Sequence, residues 1–262
     1  MSTAGEALKS GDLQGARAAL VEGVKRAPAD VGLRFRLAET LIACGDWERA
    51  DGHLDLVMSQ DTSWGPMVLV LRQLVRAAKH RDEVFEQGRA PDLVTPSTPE
   101  VERSLRILME TRTGADAAAL RQAADEEGPA VTLEQDGRPV SPVRDLDDRT
   151  ADVLEILTST GKYVWAPWSA VVSLQLREAE RPRDLVWRPA ELELRDGPTG
   201  VVYLPMIYHA PREALTDAYR LGRETDWVER GGLTCGLGQR CLLLGDDVTP
   251  FSEVVHLSAP EA

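Results

Sequence analysis

The apolar and polar positions of the first sixty residues follow one pattern that occurs twice. Gly11-Asp12 and Gly45-Asp46 each precede an alanine and a leucine at the same distances, and every position of the second copy lies 34 residues after its counterpart. The alanine and leucine are Ala16 and Leu20 in the first copy and Ala50 and Leu54 in the second. Apolar residues elsewhere in both copies recur at helical spacing, which predicts two successive pairs of helices.

A period of about 34 residues is that of the tetratricopeptide repeat, in which a tight turn joins two antiparallel helices. The glycine of each copy suits the left-handed residue that ends a helix, and the aspartate beside it can cap the next helix. The small alanine after the turn lets the paired helices approach closely. Because such helix pairs cannot bury their apolar faces alone, they stack, and the stack offers a groove to another polypeptide.

The same spacing predicts where the other helices of the first half begin and end. Thr98-Pro99 begins a helix as a cap followed by proline, and Gly128-Pro129 ends the last helix. The first repeat is short, and Arg34 stands where this repeat type has a large aromatic residue, so the repeats are degenerate. We predict an all-α, tetratricopeptide-like domain over residues 1–129. Its predicted helices lie at residues 3–9, 12–26, 31–43 and 65–87, followed by a loop at 91–99. A third, degenerate repeat is predicted to include the alanine-rich segment 115–124.

The second half of the chain is dominated by short apolar runs that predict strands. Asp136-Gly137 and Asp196-Gly197 are two-residue turn signals between such runs and predict two hairpins. Helices are predicted over Asp147–Thr160 and Pro211–Leu221. We predict a smaller α+β domain over residues 130–262 with a mainly antiparallel sheet, whose further strands lie at residues 171–176, 190–194, 201–207, 239–244 and 254–257. The predicted fold is therefore a two-domain α+β protein.

The charge balance restricts the class of partner. The chain has 43 acidic against 30 basic residues, a formal net charge of −13. Binding to nucleic acid or to an anionic membrane needs clustered lysine and arginine, so neither partner is predicted. The longest apolar runs are far shorter than the roughly 20 residues that span a bilayer, and the N-terminus lacks the pattern of a signal peptide. We therefore predict a cytoplasmic protein with a protein partner.

The sequence predicts no cofactor and no metal site. The four histidines are scattered, and Cys235 and Cys241 lack the second pair of ligands that zinc needs. The glycine-dense stretch 231–238 lacks the end of a phosphate-binding loop, so we interpret it as a tight loop with positive φ angles or a close backbone approach. The rival hypothesis is an enzyme whose site combines Cys235, His209 and Arg240.

Five short segments, in order along nearly the whole chain, carry a resemblance to a known family. The segments are Gly45–Ala50, Gly161–Trp168, Arg183–Ala190, Thr225–Trp227 and Gly236–Arg240. Together they resemble the ImpE/TagJ family, accessory proteins encoded with bacterial type VI secretion systems. The glycine-rich insertion before Gly236 and the pair Cys235 and Cys241 depart from the family's pattern.

The resemblance implies a cytosolic adaptor with an N-terminal domain of tetratricopeptide type. It implies that this adaptor engages the contractile sheath through the N-terminal helix of the small sheath subunit, and thereby influences how the disassembly ATPase handles the sheath. It implies no catalytic residues. A peptide-binding repeat module unrelated to secretion would share the same fold and stays an alternative.

Two surfaces are candidates for binding the partner. The repeat groove, expected to be lined by Arg34, Arg36 and Glu39, is the first, since an amphipathic helix could lay its apolar face there. The second is the tryptophan-bearing face of the C-terminal region, with Trp165 and Trp168. These two side chains either fill the core or serve as exposed aromatic anchors.

Overall fold

The structure is a computed structural model, and it describes residues 3–127 and 131–260. The first of these ranges is helical apart from one two-residue strand. Its elements are α1 (Ala4–Ser10), α2 (Leu13–Arg26), α3 (Val31–Ala43), α4 (Trp47–Gln60), α5 (Gly65–Gln87), β1 (Asp92–Leu93), α6 (Pro99–Thr113) and α7 (Ala118–Glu127). The helices predicted at residues 3–9, 12–26, 31–43 and 65–87 are confirmed to within one residue, whereas the alanine-rich helix predicted at 115–124 begins and ends three residues later, as α7. Gly128-Pro129, the predicted end of α7, and the predicted domain boundary after residue 129 lie outside the described residues.

The two Gly-Asp turns have the predicted backbone, but they differ in their caps. Gly11 and Gly45 adopt φ angles of +88° and +71°, in the left-handed region where glycine is favoured. Asp12 accepts a hydrogen bond of 2.7 Å from a backbone N–H in the first turn of α2, whereas Asp46 makes no such bond to α4. The alanine after each turn is fully buried, so both helix pairs pack closely, as expected.

The second range is rich in strands. They are β2 (Leu133–Gln135), β3 (Arg138–Val140), β4 (Val143–Asp145), β5 (Val153–Leu157), β6 (Tyr163–Pro167), β7 (Val171–Leu176), β8 (Trp187–Leu194), β9 (Thr199–Pro205), β10 (Thr225–Arg230), β11 (Leu233–Gly238), β12 (Cys241–Leu244), β13 (Asp247–Pro250) and β14 (His256–Ser258), with one short helix, α8 (Asp217–Arg220). Among the described residues, nine strands form one sheet in the order β1-β6-β5-β9-β8-β7-β14-β2-β3, antiparallel except for β1 beside β6. Strands β10 and β11 form a hairpin, and β13-β12-β4 form a small sheet. The predicted fold class, α-helical repeats followed by a mainly antiparallel α+β region, is confirmed.

Some predicted elements of the second half are wrong. The helix predicted over residues 147–160 is replaced by β5, all five residues of which are buried because the strand lies between β6 and β9 with both faces covered. The apolar residues on either side of Glu155 fit a buried strand as well as a helix, so periodicity alone could not decide. Pro211–Leu221 holds only one 3-10 turn and the four-residue α8.

The glycine-dense stretch is partly a strand. Gly231 and Gly232 have the positive φ angles that were expected and form the turn between β10 and β11. The residues after them pair with β10 as β11, which the sequence interpretation placed in a loop. Strand β13 was also not predicted; it forms a hairpin with β12.

The large sheet is covered on both faces. Alternate residues of a strand point to opposite faces, so Val153 and Leu157 pack into a core shared with α2–α6, while Leu154 and Ile156 pack into a second core shared with β4 and β12. Residues on both sides of the predicted domain boundary thus build one core, and the division into two domains stays a prediction. Among residues 3–127 and 131–260, no helix combines the length and apolarity that crossing a bilayer requires.

Candidate functional site

An open groove runs along the N-terminal repeat. Helices α1 and α2 line one side, and α3 together with the loop at residues 177–186, between β7 and β8, lines the other. The groove has a volume of about 990 Å³. Its apolar lining consists mainly of small side chains: Ala4, Ala7, Leu8, Ala18, Ala19, Leu20 and Leu33. Because alanine takes little room, the backbone of a guest helix could approach the wall closely.

Of the three charged residues predicted to line this groove, two do so. Arg36 and Glu39 of α3 lie on its wall, and Arg36 is exposed. Arg34 does not line the groove, which corrects the prediction. Its guanidinium donates to the carbonyl oxygen of Pro28 (2.8 Å) and to Oε1 of Gln60 (3.3 Å), so it joins the end of α2 to the end of α4.

Glu39 is held by the protein's own arginines. Its side chain is 3% exposed, and Nη1 of Arg183 donates to its Oε1 at 2.9 Å, with Arg181 at 3.6 Å. Burial raises the pKa of the Glu39 carboxyl, and the nearby guanidinium groups of Arg183 and Arg181 counteract that rise only in part. Glu39 therefore anchors the loop at residues 177–186 to α3.

The two tryptophans proposed as anchors lie in the interior. Trp165 and Trp168 are both 0% exposed. The indole N–H of Trp165 donates to the Tyr163 hydroxyl at 2.6 Å, and the Trp168 ring lies 6.3 Å from the ring of Phe251. Of the two interpretations offered by the sequence, the structure supports the core role, and neither side chain is available at the surface of this fold.

The residues of the rival enzyme hypothesis do not form a reactive group. The Cys235 side chain is buried against Ile107 and Leu233, and burial raises the pKa of its thiol to about 11. The thiol is therefore protonated at neutral pH and is a poor nucleophile. No hydrogen bond within the described part of the chain joins it to His209, whose ring stacks on Phe85 at 4.4 Å.

Arg240, the third residue of that hypothesis, is a buried structural cation. It is 0% exposed and pairs with Asp145 and with Glu155, the latter at 3.1 Å. In residues 3–127 and 131–260, no group of three histidine, cysteine or carboxylate side chains is placed to hold a metal ion.

A feature that the sequence interpretation missed fixes the ends of the repeat helices. Arg223 donates to the carbonyl oxygens of Leu8 (2.7 Å) and Lys9 (2.9 Å) at the C-terminus of α1. Arg220 donates to the carbonyl oxygen of Cys44 (2.8 Å), just after α3. Two arginines from one short segment thus cap equivalent helix ends in both repeats, where a cation is favoured by the helix dipole. Nothing in the sequence around α8 indicates that Arg220 and Arg223 cap helices of the repeats.

Comparison with known proteins agrees with this architecture. The family described as "ImpE protein" matches residues 137–258, and the tetratricopeptide repeat matches residues 7–74. The chain is 35% identical over 254 residues to the type VI secretion system accessory component TagJ of Pseudomonas aeruginosa PAO1, covering 96% of this chain and 89% of that protein. The crystal structure of protein VPA1032 from Vibrio parahaemolyticus matches with a TM-score of 0.90 at 28% identity, over 99% of this chain and 98% of that one. The similarity extends over nearly the full length of the chain, which therefore belongs to the ImpE/TagJ family of type VI secretion accessory proteins.

Proposed function

We propose that this protein is a non-enzymatic adaptor that binds the N-terminal helix of the small contractile-sheath subunit in the groove between α1, α2 and α3. The observation that carries the proposal is the open groove with its small apolar lining, in a region of tetratricopeptide type. By holding the sheath subunit, the adaptor modulates how the disassembly ATPase acts on the sheath. The proposal places the protein in the cytoplasm with the sheath.

The size of the groove suits a short helical segment. A helix with its side chains is about 10–12 Å across and rises about 5.4 Å per turn, and a groove of about 990 Å³ has room for one face of a short helix. An amphipathic helix presents apolar residues three and four positions apart, and two turns offer three or four of them. The groove therefore has room for the anchor residues of a single partner helix.

The chemistry of the predicted catalytic residues supports an adaptor better than an enzyme. Catalysis by a cysteine needs a thiolate and a neighbouring base. The buried Cys235 has a pKa raised to about 11, and among the described residues no hydrogen bond joins its thiol to a histidine or a carboxylate. The relative from Pseudomonas aeruginosa is itself described as an accessory component.

Calorimetric titration of the full chain with a synthetic peptide of the sheath subunit's N-terminal helix tests the proposal. We expect saturable binding with micromolar affinity. Ala18→Glu, which places a long charged side chain on the exposed groove wall, should abolish it. Val248→Glu, at a position 60% exposed on β13 and outside the groove, is the matched control and should bind normally. Absence of heat at high micromolar peptide would contradict the proposal.

A second titration separates this function from that of a general peptide-binding module. The competitor is a peptide of the same composition whose order is scrambled so that its apolar residues no longer share one helix face. A sheath adaptor should bind the native peptide at least ten times more tightly, because only the amphipathic face matches the groove. Equal affinities would support a repeat module unrelated to secretion.

A further inference from the structure

One wall of the groove is formed by two parts of the chain, the helical repeats and a loop from the strand-rich half. Arg181 and Pro182 complete it, although they belong to the loop at residues 177–186 and not to the helical repeats. This loop falls within the part of the chain that matches the ImpE family. The repeats alone would therefore present a groove whose second wall consists of α3 without the loop.

The loop is held in place before any partner arrives. The Asp184 carboxylate accepts from the backbone N–H groups of Glu180 (3.0 Å) and Arg181 (2.9 Å). Arg183 donates to the buried Glu39 of α3 at 2.9 Å. Nε of Arg188 donates to the backbone carbonyl oxygen of Asp184 at 3.0 Å. A wall that is already ordered adds no ordering cost to binding.

The acidic groups of the groove have partners within the protein. Asp12 caps α2 through the backbone N–H of Gly15. Glu22 pairs with Lys25 at 2.7 Å, and Glu39 pairs with the loop arginines. Glu22 and Glu39 are thus compensated by cations, and Asp12 lies at the positive end of the α2 dipole.

On the wall formed by α3 and the loop, two cations are left undercompensated; a third exposed arginine of the lining, Arg26, lies on α2 at the other side. Arg36 is exposed on the wall, and no carboxylate in the described residues forms an ion pair with it. Arg181, whose side chain is 44% exposed, lies 3.6 Å from Glu39, but that carboxylate already accepts from Arg183 at 2.9 Å. One carboxylate thus serves two guanidinium groups. Although the whole chain carries a formal charge of −13, this groove has a locally positive rim.

We propose that the groove selects an amphipathic helix with acidic residues along one edge, which meet Arg36 and Arg181, and that the loop at residues 177–186 thereby sets the choice of partner. This inference rests on the proposed function for the location of the site, and it adds the chemistry of the partner and the role of the second wall. Opposite charges at the rim act mainly on specificity, because wrong partners meet like charge there.

The test uses three designed helical peptides with the same alanine and leucine stripe, whose edge positions are all Glu, all Gln or all Lys. Fluorescence anisotropy with the full chain measures each dissociation constant at low salt and at 0.5 M NaCl. With two exposed ion pairs, we expect the Glu peptide to bind about tenfold more tightly than the Gln peptide. The Lys peptide should bind more weakly than either, and the preference should shrink at high salt.

Variants assign the preference to the two cations. Arg36→Gln and Arg181→Gln should each remove a similar part of the preference on a logarithmic scale, and the double variant most of it, since Arg26 is the remaining arginine of the lining. Arg36→Glu should remove about as much as the double variant, because the new carboxylate offsets Arg181. Arg106→Glu, at an exposed arginine of α6 outside the groove, makes the same change in net charge and should leave the preference intact. Thermal melts check that each variant is folded, and Gln at position 181 avoids placing a new carboxylate beside Glu39.

The outcomes separate this inference from the proposed function. Equal affinity for the three peptides, or no binding by any of them, overturns the inference. A Glu preference that the double Gln variant leaves undiminished overturns it as well. If the Glu peptide is preferred but the sheath-subunit peptide does not bind, the inference holds and the proposed function fails.

Discussion

Charged side chains are fully paired at the junction between α5 and the large sheet, but they are only partly paired in the groove. At the junction, Glu155 of β5 is 1% exposed and lies between two guanidinium groups, Arg81 of α5 at 2.7 Å and Arg240 at 3.1 Å, while the Tyr163 hydroxyl also donates to it. In the groove, Arg36 and Arg181 lie at the edge of small apolar side chains with incomplete compensation. Paired charge fixes two layers of one molecule to each other, and unpaired charge at a rim is available to a second molecule.

The direction in which the pKa of each buried carboxyl group is shifted shows how well its charge is compensated at the junction. Burial alone would raise the pKa of Glu155, but Arg81 and Arg240 outweigh it and lower the pKa to about 2. Asp145, the other carboxylate on Arg240, shows the reverse: burial and the neighbouring Asp147 raise its pKa to about 6 despite that arginine. Two carboxylates that share one cation therefore differ in how well they are compensated.

The largest expected effect is that of breaking the junction. Glu155→Gln leaves Arg81 and Arg240 buried without their shared anion, so we expect a loss of about 3–5 kcal/mol in the free energy of unfolding. Urea unfolding measures it. Glu191→Gln, which removes an exposed partner of Arg177, is the control and should change stability by less than about 1 kcal/mol. Similar small losses for both variants would show that the junction does not hold the layers together.

A smaller loss should follow when the cap on the second repeat is removed. Arg220→Ala leaves the carbonyl oxygen of Cys44 without its charged donor, in a partly buried position, so we expect a loss of about 1–2 kcal/mol.

Arg223→Ala acts at the more exposed end of α1 and should cost less, but it should loosen one wall of the groove. Hydrogen exchange along α1 measures that loosening, which should be accompanied by weaker binding of the sheath peptide. If the hydrogen-exchange rates of α1 are the same in Arg223→Ala and in the unmodified protein, Arg223 does not hold the end of this helix.

The junction should also make stability depend on pH through His209. Burial, and the charges of Arg81, Arg149 and Arg230, hold the pKa of His209 well below its usual value, with Asp82 and Glu86 as the facing carboxylates. The unfolded chain therefore binds a proton below about pH 6.5 that the folded chain excludes, so stability falls as the pH falls through 6.5.

Between pH 7.5 and 5.5 this site should contribute a loss of at most about 1.4 kcal/mol, the value for complete exclusion of the proton, and His209→Gln would remove this loss. The measurement is the difference between the two proteins in urea unfolding at both pH values, since other groups titrate equally in each. Parallel pH dependence in the two proteins would show that His209 is protonated in the folded state.

The smallest effect on the fold is expected in the groove. Ala18→Glu changes one exposed position of α2, so we expect the free energy of unfolding to change by no more than about 0.5 kcal/mol. The same variant should lose the sheath peptide completely. A protein of unchanged stability that still binds the peptide would move the binding surface away from the groove.

Much of the helical half could be predicted from the sequence because its contacts are local. Gly11 and Gly45 mark the turns through their own backbone conformation. The buried residues of α2 recur every three or four positions, at Leu13, Ala16, Leu20 and Val24. The strand β5 was mistaken for a helix because both of its faces are buried, which removes the alternation that marks a strand.

The candidate site could be predicted only in part. Helical spacing places Arg34 and Arg36 on different faces of α3, because residues two apart lie about 200° apart around a helix. The spacing does not show which face borders the groove: Arg36 lies on its wall, whereas Arg34 points toward Pro28 and Gln60. The burial of Trp165 and Trp168 depends on the layers above and below the sheet, since tryptophan is common both in cores and in interfaces.

The sequence by itself determined the repeat pair, the antiparallel strand-rich second half and the family, because these depend on local spacing and short motifs. Only the tertiary structure decided which charges are available to a partner. Glu39 pairs with Arg183 across 144 positions of the chain, and the loop that carries Arg183 also supplies the second wall of the groove. A contact between residues so far apart leaves no local pattern, because its energy depends on the packing of the sheet against the helices and not on the residues near either partner.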